Sequence, residues 1–456
     1  MGSVNESTFE AYLSDLKNLI RIPSVKGEPS LGAPYGKEVS RALCYFLQLA
    51  ERFGFQAYEL DHKVGVIEFG EGEEELAIFV HVDVVPAEDE ASWMFSPFSA
   101  TEHDGNFYGR GTLDDKGPAL AVLYALAALK QKGFVPERRI RIVVGGDEES
   151  GMDCIKTYKE KESPPTLGFT PDGYFPVTYS EKGILVLEVS LPLAGAGHQL
   201  QLHAGKAQNV KPTQASGRLI LKERVNTSRI LEERVEHVYA PTTTGEWALA
   251  LQTNSEADRE AVIFDMLRAV SHSLTQLDPQ ASKALISVCN LFSEESGKEL
   301  GIELEDEESG ELTMQTTKMR FDGGILTLTL NIRYPSSANS SPIEKFIHRK
   351  LLDHGYEVKT IDHKPPINFD KEDSFIHSLM TLYEQATGRK DEPKSISGGT
   401  YARAYPDRVV AFGALFPGEP LNAHAVDEHV KLSVMKEWLH VYEQAIEKIA
   451  KGEITP

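Results

Sequence analysis

A long apolar helix lies between short apolar runs in the first third of this chain. Residues 117–132, which are rich in alanine and leucine, are predicted to form the helix. The runs at 64–69, 76–80 and 140–144 contain branched side chains and are predicted to be buried strands. A strand, a helix and a strand in this order predict an α/β fold, with a mostly parallel sheet and helices on its faces. Open sheets of this kind carry their sites in the crevice beyond the carboxyl ends of the strands.

Length and patterning together predict two domains. A chain of 456 residues is too long for one ordinary core. Residues 183–190 and 324–333 resemble half-exposed strands of an antiparallel sheet, which differ from the buried runs before them. We therefore expect a catalytic domain made of 1–180 and 373–456, interrupted by an inserted α+β domain over 181–372.

Apolar periodicity predicts further helices in both domains. In the catalytic domain these helices cover 8–22, 36–54 and 374–387. In the inserted domain they cover 224–236, 256–277 and 278–291.

Composition excludes several classes of partner and site. The net charge of −22 makes nucleic acid a poor partner, because phosphate binding needs a basic face. No apolar stretch approaches the length of a membrane span, and no signal peptide is evident. The three cysteines lack CxxC spacing, and Cys44 and Cys289 are expected to be buried thiols. We expect a cytoplasmic protein that binds neither membranes nor nucleic acid.

Histidine and carboxylate side chains recur in five short segments, most of them rich in glycine or proline. The segments are His81-Val82-Asp83, Gly109 to Gly117, Gly146 to Gly151, Pro171-Asp172-Gly173 and Asn422-Ala423-His424. Each alone is also typical of a surface turn or a helix cap. Together, two histidines and three carboxylates form a nitrogen and oxygen donor set that suits Zn²⁺, with Mn²⁺ or Co²⁺ as alternatives. The set predicts a two-metal hydrolase site.

Local geometry suggests how these side chains divide the chemistry. His81 follows a predicted strand, and Asp83, two residues further on, points the same way and can orient the site. Asp114 lies in a glycine-bounded turn, where it can bridge two cations or merely cap the helix. Glu148 and Glu149 are adjacent, so their side chains diverge. One of them can bind metal while the other acts as a general base.

These motifs resemble the M20 family of metallopeptidases, and in particular its PepV-like dipeptidases. The matching segments are HVDVVPA (81–87), YGRGTLDDKGP (108–118), GDEESG (146–151), TPDGYFPV (170–177), NIRYP (331–335), SGGTYAR (397–403) and FPGE (416–419), with the match continuing to His424. The match covers nearly the whole predicted catalytic domain and thins inside the inserted one. It implies a zinc-peptidase-like catalytic domain, and an inserted domain that acts as a lid.

The resemblance implies a set of metal ligands divided between two sites. Asp114 would bridge two divalent ions. His81 and Asp172 would complete one site, and Glu149 and His424 would complete the other.

It also implies the roles of the neighbouring groups. Glu148 would activate the attacking water, Asp83 would orient His81, and the Asp114–Asp115 peptide bond would be cis. Family members with aspartate at the position of Asp172 tend to be amino- or dipeptidases, whereas acylases and carboxypeptidases tend to have glutamate. The aspartate here favours dipeptide cleavage.

The substrate side of the family pattern matches in part. Arg333 resembles the arginine that holds the C-terminal carboxylate of the substrate, and Asn209 resembles the lid asparagine that assists it. Gly398 and Gly399 would let the backbone approach a small peptide closely. Because the large lid of PepV-like proteins replaces a partner subunit, the resemblance implies a monomer.

One departure from the family keeps alternatives open. The lid histidine that stabilises the oxyanion should lie in residues 250–258, which contain neither histidine nor proline. The main prediction is a dipeptidase. The alternatives are an N-acyl amino-acid deacylase or desuccinylase of the same fold, and a metal-binding relative with lost or reduced turnover. A purely structural protein would require all five ligand matches to be accidental.

Overall fold

A computed structural model describes residues 5–87, 90–193, 200–206, 208–221, 235–241, 247–254, 262–275 and 278–455. It divides the chain into two compact units. The first unit comprises Met1–Glu181 and Ile367–Pro456, and the second comprises Lys182–Pro366.

The helices and strands of the described residues follow each other along the whole chain. The α-helices are α1 (Glu6–Ile20), α2 (Lys37–Arg52), α3 (Lys116–Gln131), α4 (Asp153–Lys161), α5 (Val262–Leu274), α6 (Pro279–Phe292), α7 (Ser340–Asp353), α8 (Ser374–Thr387) and α9 (Leu432–Ala450). The strands up to the second unit are β1 (Gln56–Leu60), β2 (Val64–Phe69), β3 (Glu75–His81), β4 (Thr101–His103), β5 (Asn106–Tyr108), β6 (Arg139–Gly145), β7 (Leu167–Thr170) and β8 (Thr178–Glu181). Those of the second unit are β9 (Gly183–Pro192), β10 (Leu200–Ala204), β11 (Gln214–Leu221), β12 (Glu236–Pro241), β13 (Trp247–Asn254), β14 (Glu305–Asp306), β15 (Gly310–Glu311), β16 (Thr313–Asp322), β17 (Ile325–Tyr334) and β18 (Glu357–Lys364). The last strands are β19 (Ile367–Asn368), β20 (Lys394–Ile396), β21 (Val409–Ala411) and β22 (His429–Lys431).

The first unit is built on a nine-stranded sheet with the order β1-β2-β6-β3-β7-β21-β8-β19, and β20 pairs with β8. Its centre is parallel, since β3 pairs in parallel with β6 and β7, and β21 with β7. Towards the two edges, β1 with β2 and β19 with β8 are antiparallel, whereas β20 pairs in parallel with β8. The predicted strand–helix–strand unit is confirmed as β3, α3 and β6, and the predicted α/β fold is confirmed with it.

Helix α3 passes through the interior of the first unit. Its residues from Lys116 to Ala127 are all buried, as expected for a helix that is apolar on every side. The buried Lys116 ammonium donates hydrogen bonds to the backbone oxygens of Leu19 (3.2 Å) and Ile22 (2.7 Å). These bonds fix the amino end of α3, next to Asp114, against the end of α1. None of the described helices is both long and apolar enough to cross a membrane.

The second unit carries an eight-stranded antiparallel sheet with the order β12-β13-β11-β10-β16-β17-β9-β18. The two strands predicted for this region are the neighbours β9 and β17, but most of their residues are buried, so the expectation of half-exposed strands is wrong. The predicted helix at 278–291 is confirmed as α6, and the one at 256–277 contains α5. Most of the helix predicted at 224–236 lies outside the described residues, and its last residue, Glu236, begins β12 instead.

The second crossing between the units comes earlier than expected. The sequence predicts crossings after residues 180 and 372, whereas the compact units divide after Glu181 and Pro366. Ile367 and Asn368 already pair with β8 of the first unit, which brings the chain back before α8 begins.

One cysteine prediction is wrong. Cys289 is buried on α6 as expected, but Cys44 is exposed. Cys44 lies between the buried positions Leu43 and Phe46 of the amphipathic helix α2, on the face turned towards solvent.

Candidate functional site

The predicted site segments converge at one edge of the sheet of the first unit. Because β3, β6 and β7 are parallel, their carboxyl ends lie side by side. His81 is the last residue of β3, Glu148 and Glu149 follow β6, and Asp172 follows β7. Asp114 lies in the loop that leads into α3. This edge is where open α/β sheets place their ligands.

The imidazole of His81 is completely buried and has close neighbours at both nitrogens. Nδ1 lies 3.0 Å from the backbone oxygen of Asp83, and since a carbonyl can only accept, Nδ1 carries a proton. Nε2 lies 3.0 Å from Oδ1 of Asp114 and 3.8 Å from Oδ2 of Asp172. Burial alone would lower the pKa of His81, but the carboxylates of Asp114 and Asp83 raise this pKa well above its ordinary value.

His424 contacts the other carboxylate oxygen of Asp114. Its Nε2 lies 2.9 Å from Oδ2 of Asp114 and 3.0 Å from Oε2 of Glu149. Burial opposes the charged imidazole, but these two carboxylates raise the pKa of His424. Each oxygen of Asp114 therefore faces a different histidine, and Asp114 is common to both groups.

The carboxylates of the site lie close together, and each affects the pKa of its neighbours. Burial first, and then the charge of Asp114, raises the pKa of Asp172 well above its ordinary value and also raises the pKa of Glu149. Burial would raise the pKa of Asp114 as well, but His424 and His81 lower it below its usual range. A buried group of acids is costly unless cations neutralise it.

Divalent cations fit this arrangement. His81, Asp114 and Glu149 each offer a ligand atom, and these atoms all lie within 4.8 Å of one another. His81, Glu148 and Asp172 form a second such group. The donors are imidazole nitrogens and carboxylate oxygens, which suit Zn²⁺, Mn²⁺ or Co²⁺.

Asp83 has a broader task than the sequence predicts. The carboxylate accepts hydrogen bonds from the backbone N–H groups of Glu148 and Glu149, both at 3.1 Å. Its Oδ1 lies 3.5 Å from Nδ1 of His81, further than the backbone oxygen of the same residue. Asp83 thus contacts His81 mainly through its carbonyl, and its side chain holds the backbone of the Glu148–Glu149 turn.

Asp115 makes a contact with the backbone of His81 that the sequence does not indicate. It occupies the capping position of α3, but its side chain makes no capping hydrogen bond. Instead, Oδ2 accepts a hydrogen bond from the backbone N–H of His81 at 3.1 Å. The peptide bond between Asp114 and Asp115 is cis, as the family resemblance implies.

The predicted substrate residues lie in both units. Gly398 and Gly399 precede the short 3₁₀ helix Tyr401–Ala404 of the first unit, and Arg403 donates a hydrogen bond to the oxygen of Gly398 at 2.9 Å. A Cβ at Gly398 would meet only a side-chain atom of Ile396, at 3.8 Å, so packing does not require glycine there.

Arg333 and Asn209 belong to the second unit. Arg333 lies on β17, and its Nε donates a hydrogen bond to Oδ1 of Asn331 at 2.9 Å. The side-chain amide of Asn331 donates in turn to the backbone oxygen of Gln208 at 3.0 Å. Asn331 therefore links Arg333 to the segment that carries Asn209.

The Tyr401 ring packs against His81, a contact that its place in the SGGTYAR segment does not reveal. The Tyr401 ring is completely buried and meets the His81 ring edge-on, with centroids 6.1 Å apart. Its hydroxyl lies 3.0 Å from Sγ of Cys154. The ring fits because β6 ends in glycine, since a Cβ on Gly145 would lie 1.8 Å from the Tyr401 hydroxyl oxygen.

We expect Gly145→Ala to destabilise the protein by about 1–3 kcal/mol, because the buried Tyr401 ring has no room to move aside. Urea unfolding followed by circular dichroism measures the change. Gly27→Ala is the control, because the nearest atom to a Cβ at exposed Gly27 is 3.9 Å away. Equal unfolding midpoints for the two variants would contradict the prediction.

Comparison with known proteins identifies the family. A family model described as Peptidase family M20/M25/M40 matches residues 77–448, a span that contains every predicted metal ligand. This chain belongs to that peptidase family. The family resemblance and the peptidase class predicted from the sequence are both confirmed.

Curated relatives of this M20 peptidase match along its whole length. A Bacillus subtilis (strain 168) protein named "Putative dipeptidase YtjP" is 32% identical over 468 residues, covering 97% of this chain and 98% of the relative. The Staphylococcus aureus (strain MRSA252) protein named "Putative dipeptidase SAR1836" is 32% identical over 467 residues, with the same coverage.

Solved structures share the fold of the M20 peptidase at low sequence identity. Human carnosine dipeptidase 1 superimposes with a TM-score of 0.62 at 16% identity, covering 98% of this chain and 97% of that one. The dipeptidase Dug1p from Saccharomyces cerevisiae gives a TM-score of 0.61 at 14% identity, again covering 98% and 97%. These likenesses establish a common fold.

Proposed function

We propose that this M20 peptidase hydrolyses the peptide bond of dipeptides at a dinuclear metal centre. The observation that supports the proposal most directly is the position of Asp114, whose two oxygens face His81 and His424. The curated relatives named as putative dipeptidases support the choice of substrate.

In this proposal two divalent ions share Asp114. His81 and Asp172 would hold one ion, and Glu149 and His424 would hold the other, with Zn²⁺ favoured over Mn²⁺ or Co²⁺. When bound, the ions supply Lewis-acid chemistry, which polarises the scissile carbonyl and lowers the pKa of water.

Glu148 is the proposed general base. Its backbone is held by Asp83, and its side chain lies at the cluster, with a carboxylate oxygen near ligand atoms of His81 and Asp172. It would take a proton from the attacking water and later deliver that proton to the leaving amine. We assign Glu148 as base rather than ligand because the family resemblance implies that role, and because Asp114, Asp172 and Glu149 already offer carboxylate oxygens beside the two histidines.

The second unit is proposed to act as a lid that recognises a small peptide. Arg333 would bind the C-terminal carboxylate of the substrate, assisted by Asn209, while Gly398 and Gly399 would line the path of its backbone. Aspartate at 172 favours dipeptides over N-acyl amino acids.

Replacing Arg333 with methionine should raise KM for a dipeptide by about 10- to 100-fold and change kcat much less, because a charge-assisted bond to substrate is lost. Steady-state kinetics measure the split. Arg320→Met is the matched control, since Arg320 is an exposed arginine on β16 of the same sheet. If a dipeptide amide, which lacks the carboxylate, lost affinity as strongly as the free dipeptide, the assignment would be wrong.

We propose that the protein acts as a monomer in the cytoplasm. A monomer is proposed because the large lid of the PepV-like proteins that this chain resembles replaces a partner subunit.

Hydrolysis of a mixed panel of dipeptides and N-acyl amino acids tests the function. The protein is reconstituted with Zn²⁺ or Mn²⁺, and chelator-treated protein is the control. We expect cleavage of dipeptides only, and only with metal. Preferred cleavage of N-acyl amino acids would favour the deacylase alternative.

A metal-binding relative with reduced turnover is the second candidate. It is favoured by the absence of histidine and proline from 250–258, where the family lid histidine is expected. Residues 250–254 lie in β13, and 255–258 fall outside the described residues. Loss of one oxyanion donor costs about a hundred- to a thousandfold in rate. Metal binding without cleavage of either substrate class would support this candidate.

A further inference from the structure

A buried carboxylate holds the loop that presents Asp114. Oε1 of Glu428 accepts hydrogen bonds from the backbone N–H groups of Gly111 (3.1 Å), Leu113 (2.9 Å) and Asp114 (3.2 Å). The side chain of Glu428 is completely buried. Three donors on one oxygen fix the backbone path of this loop directly before Asp114.

An arginine connects the same carboxylate to His424. Nη1 of Arg110 lies 2.6 Å from Oε2 of Glu428, and Nη2 donates a hydrogen bond to the backbone oxygen of His424 at 3.2 Å. The guanidinium is 3% exposed and lies over the ring of Trp93, 5.1 Å from its centroid. Because the guanidinium is planar and its donors are fixed, these contacts define one geometry.

His424 needs such support. Its φ of +63° lies in the left-handed region, which non-glycine residues seldom adopt. Its side chain is 47% exposed, so the ring is held mainly by the contacts of Nε2 with Asp114 and Glu149. The bond from Arg110 to its carbonyl is a direct link between its backbone and the loop that carries Asp114.

We propose that Glu428 and Arg110 are positioning residues that fix Asp114 relative to His424 and thereby set the metal affinity of the centre. Neither residue is among the proposed ligands. The inference rests on the proposed metal centre, but not on the choice of dipeptides as substrate. Partners that orient metal ligands typically change affinity by about 10- to 100-fold when they are removed.

Two substitutions separate the contributions of the pair. Glu428→Gln keeps an oxygen for the backbone donors but removes the charge that holds Arg110. Arg110→Lys keeps a positive charge beside Glu428 but lacks the second nitrogen that reaches His424. Zn²⁺ affinity is measured by competition with a chromophoric chelator, and the number of bound ions by mass spectrometry of the metal content.

Glu75→Gln is the matched control. Glu75 is also a buried glutamate paired with arginines, Arg139 at 2.7 Å and Arg141 at 3.4 Å, but it lies at the opposite end of β3 from His81. It should lose stability on substitution without any loss of metal affinity. Urea unfolding of the chelator-treated proteins compares the stabilities of all variants.

We expect Glu428→Gln to bind Zn²⁺ about 10- to 100-fold more weakly than the wild type. Arg110→Lys should bind the ion on the His424 side more weakly. Glu75→Gln should bind Zn²⁺ with unchanged affinity. If Glu428→Gln does not fold, the Zn²⁺ affinity of Arg110→Lys alone tests the proposal. Wild-type affinity in the Arg110 and Glu428 variants, or an equal loss in Glu75→Gln, would overturn the proposal. A wild-type protein that binds two ions but cleaves no dipeptide would refute the dipeptidase function alone.

Discussion

Replacing Glu148 with alanine should lower kcat for dipeptide hydrolysis by about 10²- to 10⁴-fold while leaving both metal ions bound. The reason is that Glu148 supplies proton transfer in the proposed reaction, whereas Asp114 and its partners hold the ions. Steady-state kinetics on a cleaved dipeptide give kcat, and the metal content of the purified variant gives the number of ions.

Glu149→Ala is the comparison for Glu148→Ala, because Glu149 is proposed as a metal ligand. Glu149→Ala removes a group 3.0 Å from His424 and should weaken binding of one ion, with activity lost for that reason. A carboxylate oxygen of Glu148 also lies close enough to the ligand atoms of His81 and Asp172 for the three to hold one ion. Loss of an ion from Glu148→Ala would therefore show that Glu148 is a ligand. Glu148→Gln should match Glu148→Ala in rate, since the amide cannot accept a proton at neutral pH.

Replacing Asp114 with asparagine should lower activity by more than about a thousandfold. One oxygen of the pair becomes an amide nitrogen, which cannot bind a cation, so the group common to both proposed sites is lost. Loss of a single electrostatic donor already costs about 10²–10³ in rate. Isothermal titration with Zn²⁺ should show the loss of tight binding at both sites.

An aspartate elsewhere serves as the comparison for this variant. The side chain of Asp407 is 76% exposed, so Asp407→Asn should bind two ions and retain full activity. If Asp114→Asn still bound two ions with wild-type affinity, Asp114 could not be the shared ligand. The two histidines would then belong to separate centres.

Local patterns in the sequence predict much of the fold, because they report burial directly. The apolar segment 117–132 is helix α3 (Lys116–Gln131), and the run at 64–69 is β2. The loops after β3, β6 and β7 carry glycine, proline and acidic residues that cannot continue a buried strand. For that reason the candidate ligands stand out in the amino-acid sequence alone.

Long-range contacts are what the sequence cannot supply. Arg110 and Glu428 are more than three hundred residues apart, and nothing in either local pattern indicates their ion pair. Likewise, Tyr401 meets His81 only because the sheet brings their segments together and Gly145 leaves room. The antiparallel pairing of β19 with β8 joins distant segments in the same way.

The order of strands in the first unit also determines when its sheet can be completed during translation. Strand β21 lies between β7 and β8, yet its residues follow the entire second unit along the chain. A ribosome therefore completes β7 and β8 long before the strand that fills the gap between them exists. His424 comes later still, so a chain interrupted within the second unit has neither a continuous sheet nor all of the proposed metal ligands. Such a fragment should be inert, which ties the onset of hydrolysis to completion of the polypeptide.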